Sequence, residues 1–186
     1  MTLEDRKVAA RKAAFARRKT AHAQHMPGTA DRLSEVLAGY RDVPLSGYVP
    51  IRTEINPLPA MSEAAAHGLV SVPVIRAAGQ ALVFSRWEPD CLMVDGPFGA
   101  SVPATEHLIT PEVLIVPIVA FSRDGGRLGY GGGFYDRTLE GLRAARPTLA
   151  IGFAYSAQET PDLPLNATDQ TLDLIVTEKD VIEVPK

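Results

Sequence analysis

Apolar positions along the chain fall into two rhythms, and their alternation sketches a fold. Mostly apolar runs of strand length lie at residues 69–75, 81–84, 113–121, 149–155 and 172–177, with a shorter one at 45–50. Runs without polar alternation are what strands buried on both faces require. Arg86 and Trp87 prolong the 81–84 run, and the tryptophan reads as packing. Between the runs the spacing becomes helical. Thr2 followed by Asp5 reads as a capping box, opening an alanine-rich helix that Pro27 and Gly28 stop. A second helix is expected over residues 30–40, and a third over 57–68 with Pro57 at its start and Gly68 at its end. Phe134, Thr138 and Leu142, at intervals of four, mark a fourth. Strand, helix and strand over residues 113–155 predict a right-handed parallel crossover. Residues 88–111, poor in periodicity, are expected as ordered loop with one short strand near Phe98.

Residues 127–136 break both rhythms. They place Gly129, Gly131, Gly132 and Gly133 between a buried run and a helix. Such backbone takes positive φ and lets amides approach a ligand, and a following helix N-terminus favours an anion. Arg127 can fork onto phosphate oxygens and Asp136 can hold a hard cation. A tight strand-to-helix turn with no ligand is the plain alternative. Neither the P-loop nor the dinucleotide fingerprint fits, because no Gly-Lys-Ser/Thr is present and Phe134 stands where a glycine would be needed.

Other candidates are dispersed. On the first helix Lys7, Arg11 and Arg18 share one stripe while Val8 and Phe15 share another. That stripe is either a solvated basic face or a set of cations aimed at polyphosphate. Glu54 follows a strand end, where open α/β sheets place ligands. Asp169 precedes the last run and Asp173 falls inside it. His107 has no partner at metal-ligand spacing.

Composition narrows the classes. With 186 residues, 46% of them hydrophobic, the chain can bury a core as one domain. Its net charge of −3 hides seven Lys/Arg against two acids in residues 1–25, leaving −8 on the other 161. An acidic body argues against a nucleic-acid partner for that basic start. No apolar run spans a membrane, and the charged start is unlike a secretory signal. A lone Cys91 forms no internal disulfide, so a reducing cytoplasm is expected.

Taken in order, these residues resemble the 5-formyltetrahydrofolate cyclo-ligase family, also called methenyltetrahydrofolate synthetase. The most specific piece is Arg-Leu-Gly-Tyr-Gly-Gly-Gly-Phe-Tyr-Asp at 127–136, with Phe134 for a usual tyrosine. Lys7 and Arg11, Glu54-Ile55, Phe98-Gly99, Val116-Pro117, Ala120-Phe121, Ile151-Gly152, Asp169, Asp173 and Val176-Thr177-Glu178 support it in order. The resemblance implies a single α/β domain over residues 1–186, with a mixed, largely parallel sheet and helices on both faces. It implies ATP- and Mg2+-dependent conversion of 5-formyltetrahydrofolate to 5,10-methenyltetrahydrofolate, with ADP and phosphate released.

By that resemblance, Lys7 and Arg11 contact ATP phosphates. Arg127, Leu128, Gly129, Tyr130, Gly131, Gly132, Gly133, Phe134 and Tyr135 wrap the nucleotide. Val49, Glu54 and residues 130–134 border the folate, and Asp136 with Asp169 holds Mg2+. Arg127, Tyr130 and Asp136 are the expected catalytic residues. Small-molecule substrates and a cytoplasmic monomer are expected, with no nucleic-acid or membrane partner. Val102 and Ser122 depart from a Glu and an Asp carried by many bacterial relatives. They motivate a second reading, a non-catalytic folate- or nucleotide-binding protein of the same fold.

Overall fold

The computed structural model describes residues 1–186. Helix α1 (Leu3–Gln24) opens with the capping box: Thr2 Oγ1 accepts from the Asp5 amide at 3.1 Å, and Asp5 Oδ2 accepts from the Thr2 amide at 2.8 Å. Then come α2 (Asp31–Leu37), running into a 3-10 turn, β1 (Leu45–Ser46), α3 (Leu58–Ala65), β2 (Val70–Val74) and β3 (Val83–Arg86). Two hairpins follow, β4 (Met93–Asp95) with β5 (Ser101–Pro103) and, after β6 (Val113–Pro117), β7 (Ala120–Phe121) with β8 (Arg127–Leu128). Helix α4 (Phe134–Ala145), β9 (Leu149–Phe153), β10 (Leu174–Val176) and β11 (Val181–Glu183) complete the chain.

Seven strands form one sheet in the order β11-β10-β9-β6-β1-β2-β3. The five inner strands run parallel, with Leu45 opposite Val70 and Val113 opposite Leu149, and the edge strands β3 and β11 run antiparallel. Strand alternation sorts side chains between two cores. Val113 and Ile115 join Leu33 and Leu37 of α2 and Met61 of α3 on one face, whereas Leu114 and Val116 join Leu139 of α4 on the other. Each such Leu or Ile, taken fully out of water, contributes roughly 1.5–3 kcal/mol. Helices therefore cover both faces of a mixed, largely parallel sheet.

Several local expectations change. The apolar run 113–121 is not one strand: β6 ends at Pro117, and Ala120–Phe121 turns away to pair with Arg127–Leu128. Val119, Ala120 and Leu128 pack with Ala14 in a third, smaller core, so apolar neighbours in sequence are buried in different places. The glycine loop thus leaves a hairpin, not the central strand. Phe98 lies at φ +63° in the turn joining β4 and β5, which are themselves the strands of that region. Asp173 stands just before β10, where its Oδ2 accepts from the Ala150 amide and from Arg143, at 2.8 and 2.9 Å. The 45–50 run shrinks to a two-residue strand, and β11 has no counterpart in the apolar pattern.

Helix α1 lies against segments that leave the carboxyl ends of the parallel strands. Arg18 reaches Thr53 beyond β1, Ala14 packs on Val119 beyond β6, and Arg17 reaches Ala157 beyond β9. That edge is where open α/β sheets bind ligands.

Candidate active site

A cleft of about 470 Å³ opens between α1, the ends of β1 and β2, the glycine loop and the start of α4. This is an ordinary size for a small-molecule site. Lys7, Arg11, Val49, Glu54, every residue from Arg127 to Asp136, and Asp169 border it. Residues as far apart as 7 and 169 are thus brought to one wall.

The loop is shaped by backbone that only glycine adopts readily. Gly131 has φ +100°, and Gly133 has φ +69° at the N-cap of α4. A Cβ at Gly133 would stand 2.6 Å from Arg137 Nη1, which a swing of that guanidinium relieves, so the positive φ and not the space is what calls for glycine there. No side chain caps α4, which leaves its first-turn amides for a ligand. Arg11 braces the loop through Nε to the Gly129 carbonyl at 2.9 Å. Leu128 differs from its neighbours, because its side chain is buried in the third core and only its backbone is left for the cleft. Phe134 meets Phe98 edge-on at 6.1 Å, with the Arg137 guanidinium 5.3 Å from its ring centre.

Opposite charges are held close in the cleft wall. Lys7 Nζ donates to Asp169 Oδ2 at 2.8 Å, and Arg127 Nη2 donates to Asp136 Oδ1 at 2.6 Å. Burial pulls the Arg127 guanidinium below its ordinary value, and the neighbouring Asp136 pulls it back up. Asp136 Oδ1 also accepts from the Gln170 amide, and Asp169 Oδ2 from the Asn166 amide, each at 2.8 Å. The second oxygen of each carboxylate is free of protein donors. Buried Arg127 Nε and the Tyr135 hydroxyl have no protein partner either.

On the other side, Glu54 is buried and accepts from the Ile51 amide and from the Tyr130 hydroxyl, both at 2.9 Å. Burial pushes the Glu54 carboxyl above its usual range. Burial, then the neighbouring Glu54, raise the Tyr130 phenol to about 12. Arg18 completes the cluster by donating from Nη1 to the Tyr130 oxygen at 3.0 Å. The family resemblance gives it no role, although the stripe it shares with Lys7 and Arg11, read as a solvated face or as cations aimed at polyphosphate, is the signal that points to it. That stripe is the inward one: Lys7 and Arg18 are buried, and Val8 is exposed.

The two departures lie off the cleft lining. Ser122 donates to Asp124 within the turn joining β7 and β8, and Val102 stands in β5 beside the lining residue Ser101.

The model of the 5-formyltetrahydrofolate cyclo-ligase family matches residues 4–178. The 5-formyltetrahydrofolate cyclo-ligase of Mycolicibacterium smegmatis is 30% identical over 167 residues, 82% of this chain and 83% of that one. The Haemophilus influenzae enzyme of the same name is 38% identical over 101 residues, 51% of this chain and 54% of that one, so this chain spans about half the length of that relative. The structure of Aquifex aeolicus 5,10-methenyltetrahydrofolate synthetase superposes with a TM-score of 0.73 at 27% identity, covering 97% of this chain and 93% of that one. A synthetase of that name from Mycoplasma pneumoniae, at 22% identity and a TM-score of 0.66 over 92% of this chain and 98% of its own, shares the fold. The family match runs through the first helix, the glycine loop and Asp169 alike, and the chain belongs to the 5-formyltetrahydrofolate cyclo-ligase family.

Proposed function

We propose that this chain converts 5-formyltetrahydrofolate to 5,10-methenyltetrahydrofolate at the expense of ATP. The observation that carries the reading is the gathering of Lys7, Arg11, Arg127, Asp136, Asp169 and Glu54 around the glycine loop in one cleft. A formamide oxygen on N5 is a poor leaving group, so attack by N10 needs that oxygen activated first. The formyl oxygen attacks the γ-phosphorus, and the bond from phosphorus to the ADP oxygen breaks. N10 then adds to the formyl carbon, the carbon–oxygen bond breaks, and phosphate departs carrying the N10 proton.

In such a reaction the protein positions groups and neutralises charge. The amides of residues 129–133 and the α4 N-terminus cradle phosphate, the helix dipole adding roughly 0.3–1 kcal/mol. Lys7 and Arg11 approach it from α1, and Arg127 from the loop base. Glu54 takes the amide-like edge of the pterin, and Val49 with residues 130–134 borders the folate. Tyr130 stands where loop and folate sides meet.

Asp136 and Asp169 fit Mg2+: they face one cleft, each with an oxygen free of protein donors, and no cluster of three acidic or histidine ligands exists. A metal held by two carboxylates and completed by phosphate and water matches that set. When bound, Mg2+ neutralises charge on the transferring phosphate.

The test is the absorbance of the methenyl product on mixing folded protein with 5-formyltetrahydrofolate. Product is expected only with ATP and Mg2+ together. Folded protein that forms none contradicts the enzyme and leaves the binding-protein reading.

A further inference from the structure

Arg18 is the charged group of this region that the nucleotide chemistry leaves unexplained. It is 1% exposed, does not border the cleft, and enters none of the chain's ion pairs. A buried cation without a paired carboxylate is expensive, so something must hold it there. Its Nε donates to Thr53 Oγ1 and its Nη1 to the Tyr130 oxygen, both at 3.0 Å. The guanidinium carbon also lies 5.0 Å from the Phe15 ring centre and 5.6 Å from that of Tyr130.

These contacts have a direction. A guanidinium only donates, so the Tyr130 oxygen accepts from Arg18, and the single phenol proton points to Glu54 Oε1 at 2.9 Å. Glu54 Oε2 accepts from the Ile51 amide. Both carboxylate oxygens are thereby addressed by donors, the arrangement that suits the ionised form. The groups facing Glu54 are Arg18 from α1, Arg52 from its own loop, Tyr48 beyond β1, Tyr130 from the glycine loop and Tyr135 of α4. Only the two arginines are cationic, and Arg52 is exposed. Arg18 is therefore the one buried positive charge opposing the desolvation of Glu54.

We infer that Arg18 is a positioning residue: from behind the cleft wall it orients the Tyr130 hydroxyl and keeps Glu54 an ionised acceptor for the folate. Its use in turnover rests on the function proposed above, whereas the coupling of Arg18 to Glu54 does not. Only a side chain that donates and never accepts sets this direction, and lysine keeps the charge without the two-armed reach to Thr53 and Tyr130.

The experiment compares Arg18→Met and Arg18→Lys, each alone and with Glu54→Gln. In the Glu54 background, Arg18→Met should raise the folate KM about tenfold and leave the ATP KM within about twofold. The acid limb of kcat/KM for folate should move to higher pH, and Arg18→Lys should restore that limb while recovering the folate KM only in part. Equal changes in both KM values with a fixed acid limb overturn the inference, because a merely structural loss behaves that way. Thermal unfolding supplies a readout without substrate. Near neutrality Arg18→Met should lower Tm more in the Glu54 background than in Glu54→Gln, and the two losses should converge below about pH 4.5, where Glu54 is protonated in both states. Equal Tm losses in the two backgrounds near neutrality overturn it. If Arg18→Met does not fold, Arg18→Lys decides through the KM split: a raised folate KM with the ATP KM within about twofold supports the inference, and equal changes in both overturn it. Wild-type protein without ATP-dependent turnover removes the proposed function alone, since the unfolding cycle still reads the coupling.

Discussion

Two openings flank α1, and the larger is the less informative. A groove of about 720 Å³ runs under the last turns of the helix, between Arg17, Thr20, His25, Tyr155 and Glu178. The loop cleft is smaller, at about 470 Å³. In the groove Arg17 and Glu178 are occupied by the protein itself. Arg17 donates to the Ala157 carbonyl and to Thr160 Oγ1, both at 2.7 Å, and Glu178 accepts from the Ser156 amide and hydroxyl at 2.7 and 2.6 Å. Those contacts tie down the chain after β9. In the cleft, Lys7, Glu54 and Arg127 are all buried, yet Arg127 Nε and the Tyr135 hydroxyl keep no protein partner. Buried polar atoms without partners are rare, and these two border the cleft, where a ligand can complete their bonding. Charge held out of water, and not volume, distinguishes the two.

The sharpest way to break this contrast is Asp136→Asn. Removing the carboxylate charge should lower kcat about a thousandfold or more, while the protein still folds and unfolds cooperatively. Product absorbance and a circular-dichroism melt read the two quantities, and retained turnover would strip the cleft of its role. Next in size, Lys7→Ala and Arg11→Ala should each raise the ATP KM about ten- to a hundredfold. An unchanged ATP KM would make them braces for Asp169 and Gly129. From the groove side of the same helix, Arg17→Met should cost about 1–2 kcal/mol in urea unfolding and leave both KM values alone. A changed KM there would mean the groove belongs to the site.

The smallest effect is a pH slope. Burial raises Glu54 above its ordinary 4.5. The stability it contributes is therefore complete below that pH and is lost as pH rises through its raised value. The Tm of Glu54→Gln should accordingly gain on wild type between about pH 4.5 and neutrality, and a flat difference would contradict the burial argument.

Much of the cleft was legible because its chemistry is written in backbone requirements. Gly129, Gly131, Gly132 and Gly133 announce freedom for positive φ before any fold is known, although only Gly131 and Gly133 use it, and the residues between Arg127 and Asp136 are contiguous. Lys7 and Arg11 were legible as a stripe but not as an inward one. Helical spacing defines a face, and which face turns in was decided by Thr53 and Tyr130, 35 and 112 residues from Arg18. The same limit explains residues 113–121: an apolar run says that its members are buried, not that they share a strand. Strands β4, β5 and β11, of three residues each, are too short for a period to declare itself. The parallel core, by contrast, was readable from long apolar runs separated by helices, because burial on both faces leaves few polar positions.

The central claim is that phosphate is delivered to the formyl oxygen inside the loop cleft, and an oxygen tracer tests it most directly. 5-Formyltetrahydrofolate labelled with heavy oxygen in the formyl group, converted by the wild-type protein with ATP and Mg2+, should pass its label into the released phosphate, one atom for each methenyl product formed. Label that emerges in water, or product that forms equally well without ATP, would contradict the account.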